Sequence, residues 1–188
     1  MKSSLHSIKM IKGNRILYVN KTLNNELLVS LISEMLYIKK NDSIKNLYIF
    51  INCISSDLNQ FLSFDDFISY YKFSYRPVGL GKVYENGLLI LSGGEKEHRN
   101  CLINTTLAIS NYKELISDEK SVLVSKSNTI SRVSLLLERY FAKNAAIYLQ
   151  NVNYNIQKIK YKMFNPRYIY ISKKEAKKLN IIDRIIIN

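Results

Sequence analysis

The 188-residue chain has no tryptophan, two prolines, six glycines, two cysteines and two histidines, and each shortage removes a class of explanation. Cys53 and Cys101 have no paired spacing and no companion run of Cys or His, so they form neither a disulfide framework nor a zinc site and point to a reducing compartment. No apolar run approaches the ~18 to 20 residues that a bilayer span needs. With 47% hydrophobic residues, the expectation is a soluble globular protein with no membrane partner. The segment Met1 to Leu5 does not lead into the apolar stretch of a secretory signal, so no export is expected. There is no glycine-rich phosphate loop, repeat, low-complexity segment or internal linker. The chain therefore reads as one domain, residues 1–188, needing no cofactor and no metal of its own.

Positive charge is abundant. The net charge is +13, divided as +4 over residues 1–94 and +9 over residues 95–188. Lys, Ile, Asn and Tyr are frequent, as expected where codons drift towards A and T, a hint of an organelle genome.

The order of elements comes from hydrophobic periodicity. Residues 15–19 (Arg-Ile-Leu-Tyr-Val) read as a short buried strand. Asn25 is placed to cap the following helix, in which Leu23, Leu27, Leu28, Leu31, Ile32, Met35 and Leu36 recur at helical spacing. Leu47 to Asn52 is a near-continuous apolar run, the pattern of a parallel strand covered on both faces. A second helix over about 57–72 presents Leu58, Phe61, Leu62, Ile68 and Tyr71. A strand near 75–80 leads to Gly81, and a short helix through Leu88 to Leu91 stops at Gly93-Gly94. This alternation implies an α/β domain with parallel crossovers. Cys101 to Ile103, Leu107 to Ile109 and Ser121 to Ser125 are further strands, and Asn128 or Thr129 opens a long helix to about Gln150. The chain closes with a strand at 168–171, a capping box from Ser172 to Glu175, a short helix to Leu179 and a strand from Ile181 to Ile187.

Arg15-Ile16-Leu17-Tyr18, Leu47 to Asn52 and the tail from Ser172-Lys173-Lys174-Glu175-Ala176 to Ile181-Ile182-Asp183-Arg184-Ile185 together resemble the proteolytic subunit of the Clp protease across about residues 14–187. The resemblance implies a crotonase-like α/β spiral of βαβ units. Its head would span residues 14–114 and 153–187, its strand-helix handle about 115–152, and its N-terminal segment 1–13. It also implies seven-membered rings, stacked in pairs through their handles, and an ATP-dependent unfoldase as partner.

The family's chemistry is acyl transfer by a Ser-His-Asp triad. Its serine lies in Gly-Gln-Ala-Ala-Ser-Met-Gly, which matches Gly81 to Gly87 with Glu85 at the serine. Its histidine, in Met-Ile-His-Gln-Pro, matches Ser110, and its aspartate, after an arginine, matches Tyr168 after Arg167. The oxyanion-hole glycines match Ser55 and Ser56. Losing the nucleophile alone costs on the order of 10⁶ in turnover. The expectation is therefore a chain with no catalytic residue of its own that is not an enzyme. It resembles the non-catalytic Clp subunits of plastids: a structural member of a heteromeric ring, beside catalytic paralogues, in a chloroplast or apicoplast stroma.

Other constellations have simpler accounts. A displaced site on Ser92 with His98, which would make the chain a divergent active Clp serine peptidase, lacks an orienting aspartate and reads more simply as a Gly-Gly turn beside a solvated loop. His6 lies near the terminus, and Cys53 follows a core strand as a small hydrophobe. Asp65 and Asp66, neighbours on a helix, point about 100° apart and read as a solvated edge. Lys158 to Lys178 carries eight Lys or Arg and one Glu, interleaved with Tyr161, Phe164, Tyr168 and Tyr170, a combination that could bind single-stranded RNA. The resemblance instead puts the aromatics on a core strand and the lysines on exposed faces. Labelled single-stranded RNA is accordingly expected to show no mobility shift with the chain at low salt; a salt-dependent shift would establish RNA binding.

Overall fold

The structure, a computed structural model, describes residues 15–20, 22–41, 46–54, 58–110 and 168–187. The expected N-terminal segment 1–13, the handle at about 115–152 with its strand at 121–125 and helix from 128, and Ser55, Ser56, Tyr161, Phe164 and Arg167 lie outside these residues.

Six strands and three helices make up the described residues as far as Ser110. They run β1 (Ile16–Val19), α1 (Asn25–Asn41), β2 (Tyr48–Ile51), α2 (Leu58–Tyr71), β3 (Arg76–Gly79), β4 (Lys82–Tyr84), α3 (Asn86–Ser92), β5 (Asn100–Leu102) and β6 (Thr106–Ser110). The C-terminal part adds β7 (Tyr168–Ile171), α4 (Lys173–Lys178) and β8 (Arg184–Ile186). Five strands form a wholly parallel sheet in the order β1-β2-β3-β5-β8. The other three form a second sheet, β4-β6-β7, parallel between β4 and β6 and antiparallel between β6 and β7. The expected α/β architecture with parallel crossovers is what the chain adopts.

Local chemistry accounts for the helix starts. The first helix is capped by Asn24 rather than Asn25: the Asn24 Oδ1 accepts the Leu27 N–H at 2.9 Å, a cap that contributes about 1 kcal/mol. Leu23, just before this cap, is fully buried, as is most of Leu28 four residues into the helix, the two positions that fix the entry angle of a chain into a helix. Leu31, Met35 and Ile38 continue the buried stripe, whereas Leu36 turns outward. In α2, Phe61 and Phe64 are buried while Tyr71 is partly exposed. Ser172 caps α4 as expected, its Oγ accepting the Glu175 N–H at 3.2 Å.

Proline 77 sits in a central strand, which normally costs a ladder hydrogen bond. Here the Arg76 N–H points to Leu47 O, so Pro77 presents its missing donor on the other side. The pairing there with β5 begins only at Val78.

Every residue of α3 is buried. It packs against α2, β3, β4 and β6 and so fills the space between the two sheets. Tyr75 reaches this layer and donates its hydroxyl to the Ile90 carbonyl at 2.8 Å; burial, reinforced by the Asp65 charge, pushes its phenol far above the ordinary range and keeps it neutral.

The C-terminal segment is fastened by Arg99, which is 3% exposed. Its guanidinium makes a bidentate pair with Asp183, Nε to Oδ2 at 2.8 Å and Nη2 to Oδ1 at 2.6 Å. Its Nη1 donates to the carbonyls of Asn180 and Ser92. Burial alone would raise the Asp183 carboxyl, but the hydrogen bonds and charge of Arg99 outweigh it and hold the group below its usual value. A carboxyl depressed in the folded state adds stability that is present above its unfolded pKa of about 4 and lost as pH falls through the folded value. Asp183→Asn, by leaving a buried guanidinium half-paired, is expected to cost about 3 kcal/mol in urea denaturation at neutral pH. It should also flatten the acid limb of the stability curve below about pH 4.

Candidate functional site

The turn from β4 into α3 is held on three sides. The Tyr84 N–H donates to the Cys53 carbonyl at 2.9 Å, and the Glu85 N–H donates to the Ala108 carbonyl at 3.1 Å. The Glu85 carbonyl then accepts the N–H groups of Leu88 and Leu89, opening the helix. Gly87 makes the approach feasible, because a Cβ there would stand 2.9 Å from the Cys53 carbonyl oxygen. Between these anchors Glu85 is forced to φ 49°, ψ −119°. Such a backbone costs a non-glycine residue about 1–3 kcal/mol and persists only where its surroundings over-determine it. A sharp strand-to-helix turn of this kind thrusts its side chain out at the end of the sheet, the geometry that presents a nucleophile in other α/β folds.

A second set of contacts braces the turn from below. Asn52 Oδ1 accepts the Lys82 N–H at 3.1 Å, while its Nδ2 donates to Asn20 Oδ1 at 2.9 Å. Gly81, at φ +64°, leaves room for this carboxamide. The buried Thr105 donates its hydroxyl to the Gly79 carbonyl at 2.9 Å, so the link between the sheets is tied at both strands.

The register of the second sheet brings the sequence-matched places together. Ser110 and Tyr168 are cross-strand partners, and Tyr84, the residue before Glu85, pairs with Ala108, two residues before Ser110. Glu85, Ser110 and Tyr168 thus converge at one end of the β4-β6-β7 sheet. Ser55 and Ser56 lie outside the described residues.

One pair was not legible as a site in the sequence. The second sheet has two clean rows: Val83, Leu107 and Ile171, all buried, and Tyr84, Ala108 and Tyr170 on the opposite face. The rings of Tyr84 and Tyr170 meet edge-on at 5.9 Å and 84°, and the Tyr84 hydroxyl lies 3.1 Å from Thr106 Oγ1. A hydrogen bond and close approach to the Tyr84 hydroxyl push the Tyr170 phenol above its ordinary value. Tyr170 does lie on a strand, as the resemblance implied, but its side chain is 65% exposed, while its neighbour Ile171 is buried. The period-2 run Tyr-Ile-Tyr-Ile carried that signal.

The other candidates do not form a site. Ser92 is fully buried and donates its hydroxyl to the Leu89 carbonyl at 2.9 Å, so it is part of the end of α3 rather than a nucleophile. His98 rests its Nδ1 on the Lys96 carbonyl at 3.2 Å. Cys53 is buried, with its carbonyl the part in use. Among the described residues, no three His, Cys, Asp or Glu side chains are grouped to hold a metal ion, and no helix is long and apolar enough to cross a membrane.

The Clp protease family model matches residues 2–188. The chain belongs to this family. Among its relatives, an ATP-dependent Clp protease proteolytic subunit of Ostreococcus tauri is 24% identical over 171 residues, covering 91% of this chain and 81% of the relative. A subunit of the same description from Chlorella vulgaris is 22% identical over 174 residues, covering 93% and 82%. Proteolytic subunit 1 of Borreliella burgdorferi is 23% identical over 173 residues, covering 92% and 84%. The family carries the expected crotonase-like fold. The names of these relatives overturn the expectation that the chain is not an enzyme: proteins matched along nine-tenths of its length are proteolytic subunits, and so peptidases by description. Three substituted positions, aligned at this identity, do not by themselves decide an activity.

The strain at Glu85 is open to direct test. Glu85→Gly removes the cost of a side chain in this backbone region and is expected to raise the unfolding free energy by about 1 kcal/mol, read as a higher urea midpoint at unchanged slope. An unchanged midpoint would show that the turn relaxes in solution.

Proposed function

We propose that this chain is a ring-forming subunit of an ATP-dependent Clp protease, assembled with paralogous proteolytic subunits in a mixed seven-membered ring. Two such rings enclose the chamber, and an ATP-dependent unfoldase feeds it. The observation that carries this reading is the Glu85 turn. Glu85 is held in a strained strand-to-helix corner with the paired strand ends of Ser110 and Tyr168 in register nearby; this supports the reading in which the three positions correspond to the family's serine, histidine and aspartate places. In this reading Ser55 and Ser56 occupy the oxyanion-hole places.

The head, residues 14–114 and 153–187, makes the ring, and the handle at about 115–152 joins ring to ring. Algal relatives such as those of Ostreococcus tauri and Chlorella vulgaris, together with the Lys-, Ile-, Asn- and Tyr-rich composition, support a plastid stroma as the setting.

Native mass spectrometry of the complex drawn from its source compartment tests the proposal. The expected result is this chain in one assembly with paralogous proteolytic subunits. Rings built of this chain alone would overturn the mixed-ring reading.

A further inference from the structure

The Glu85 corner and the C-terminal segment meet opposite ends of one helix. We infer that Arg99 and Asp183 set the shape of the Glu85 corner through α3: seating the C-terminal segment pins the far end of the helix, and the pinned helix holds Glu85 in its strained backbone. The corner then takes its final form only in a chain whose C-terminal segment is in place. This interlock is built into the fold and does not depend on the ring that the chain enters.

Three observations support it. The first is that α3 is held at both ends. At its start the Tyr84 and Glu85 N–H groups are tied to the carbonyls of Cys53 and Ala108. At its end the Ile90 carbonyl accepts the Tyr75 hydroxyl at 2.8 Å, and the Ser92 carbonyl accepts the Arg99 guanidinium at 3.4 Å. The second is that the seated C-terminal segment leaves the Arg99 side chain no alternative position. The Asp183 carboxylate takes Nε and Nη2, and Nη1 reaches the Asn180 carbonyl at 2.6 Å. The Arg99 N–H donates to the same carboxylate at 3.0 Å, and the Arg99 carbonyl accepts the Asp183 N–H at 2.8 Å. The third is that all seven residues of α3 are buried. A close-packed helix passes a displacement from one end to the other rather than absorbing it. With both ends fixed and the helix stiff, the misfit collects at the one junction residue, and Glu85 at φ 49°, ψ −119° is that residue.

The test is a double-mutant cycle on the full chain. Glu85 and Arg99 meet α3 about 10 Å apart along its axis, a separation at which independent substitutions add. Glu85→Gly raises the urea midpoint of the wild type by relieving the strain; in an Asp183→Asn background, where the pin is loosened, that rise is expected to fall to about half or less. Hydrogen exchange gives a second reading. In Asp183→Asn the Tyr84 and Glu85 amides should exchange about tenfold faster, relative to the Asn52 amide, which donates to the Val19 carbonyl in the five-stranded sheet. An equal midpoint change in the two backgrounds, or an equal acceleration of all three amides, shows that Asp183 stabilises the chain without reaching the corner and overturns the inference. If Asp183→Asn does not fold, Arg99→Lys decides instead. It keeps a cation opposite Asp183 but not the planar fork that reaches the Ser92 carbonyl, and a Glu85→Gly rise equal to that in the wild type then overturns the inference.

Discussion

The carbonyl of Cys53 is the joint on which the rest of the molecule turns. It accepts the Tyr84 N–H and stands so near the start of α3 that only glycine fits at position 87. This contact lays the end of the five-stranded sheet against the first strand of the second sheet. Once it is made, β4 has no freedom to run straight into a helix, and the strain falls on the single residue between them. The burial of all of α3 follows, since a helix starting from that corner has sheet on two sides and α2 beside it. A polar brace of Asn52, Lys82, Gly81 and Thr105 keeps the joint from opening.

Strain of this sort is held by the packing around it. Leu88 to Leu91 sit fully or almost fully buried behind the corner, so relaxing Glu85 to an ordinary backbone would shift the entire helix and forfeit those contacts. Burying four such side chains is favourable by roughly 6–12 kcal/mol before the entropy of ordering them is counted. A local cost of about 1–3 kcal/mol is therefore easily sustained, and the corner keeps its shape whichever side chain stands on it.

Much of this was readable from residue order. The apolar run Leu47 to Asn52 announced a doubly covered strand and is β2; the Leu and Met spacing of α1 announced its buried stripe; Ser172 and Glu175 announced the start of α4. The misreadings have physical causes. Asn24 and Asn25 are both competent caps, and only tertiary packing of Leu23 selects the first. Lys82-Val83-Tyr84 is too short to show a period, so β4 was invisible until its partner β6 was in view. Leu36 and Tyr71 keep helical spacing yet lie at the margins of their stripes, where periodicity does not distinguish a covered position from a bare one. The exposure of Tyr170 was easily missed because an alternating strand and a doubly covered strand contain the same residue types and differ only in what lies against them. For the site, the register sets Ser110 opposite Tyr168 and Tyr84 opposite Ala108, so positions far apart in sequence share one end of a sheet; what the chain does with them could not be read from three residue identities.

The Arg99–Asp183 pair spans 84 positions of sequence and fastens β8 beside β5. Closing the parallel sheet therefore means bringing together two segments 84 positions apart, and the entropy of closing so long a loop must be met before the bidentate pair can reward it. Until β8 arrives, β5 is an open strand edge, the kind of surface on which partly folded chains associate wrongly.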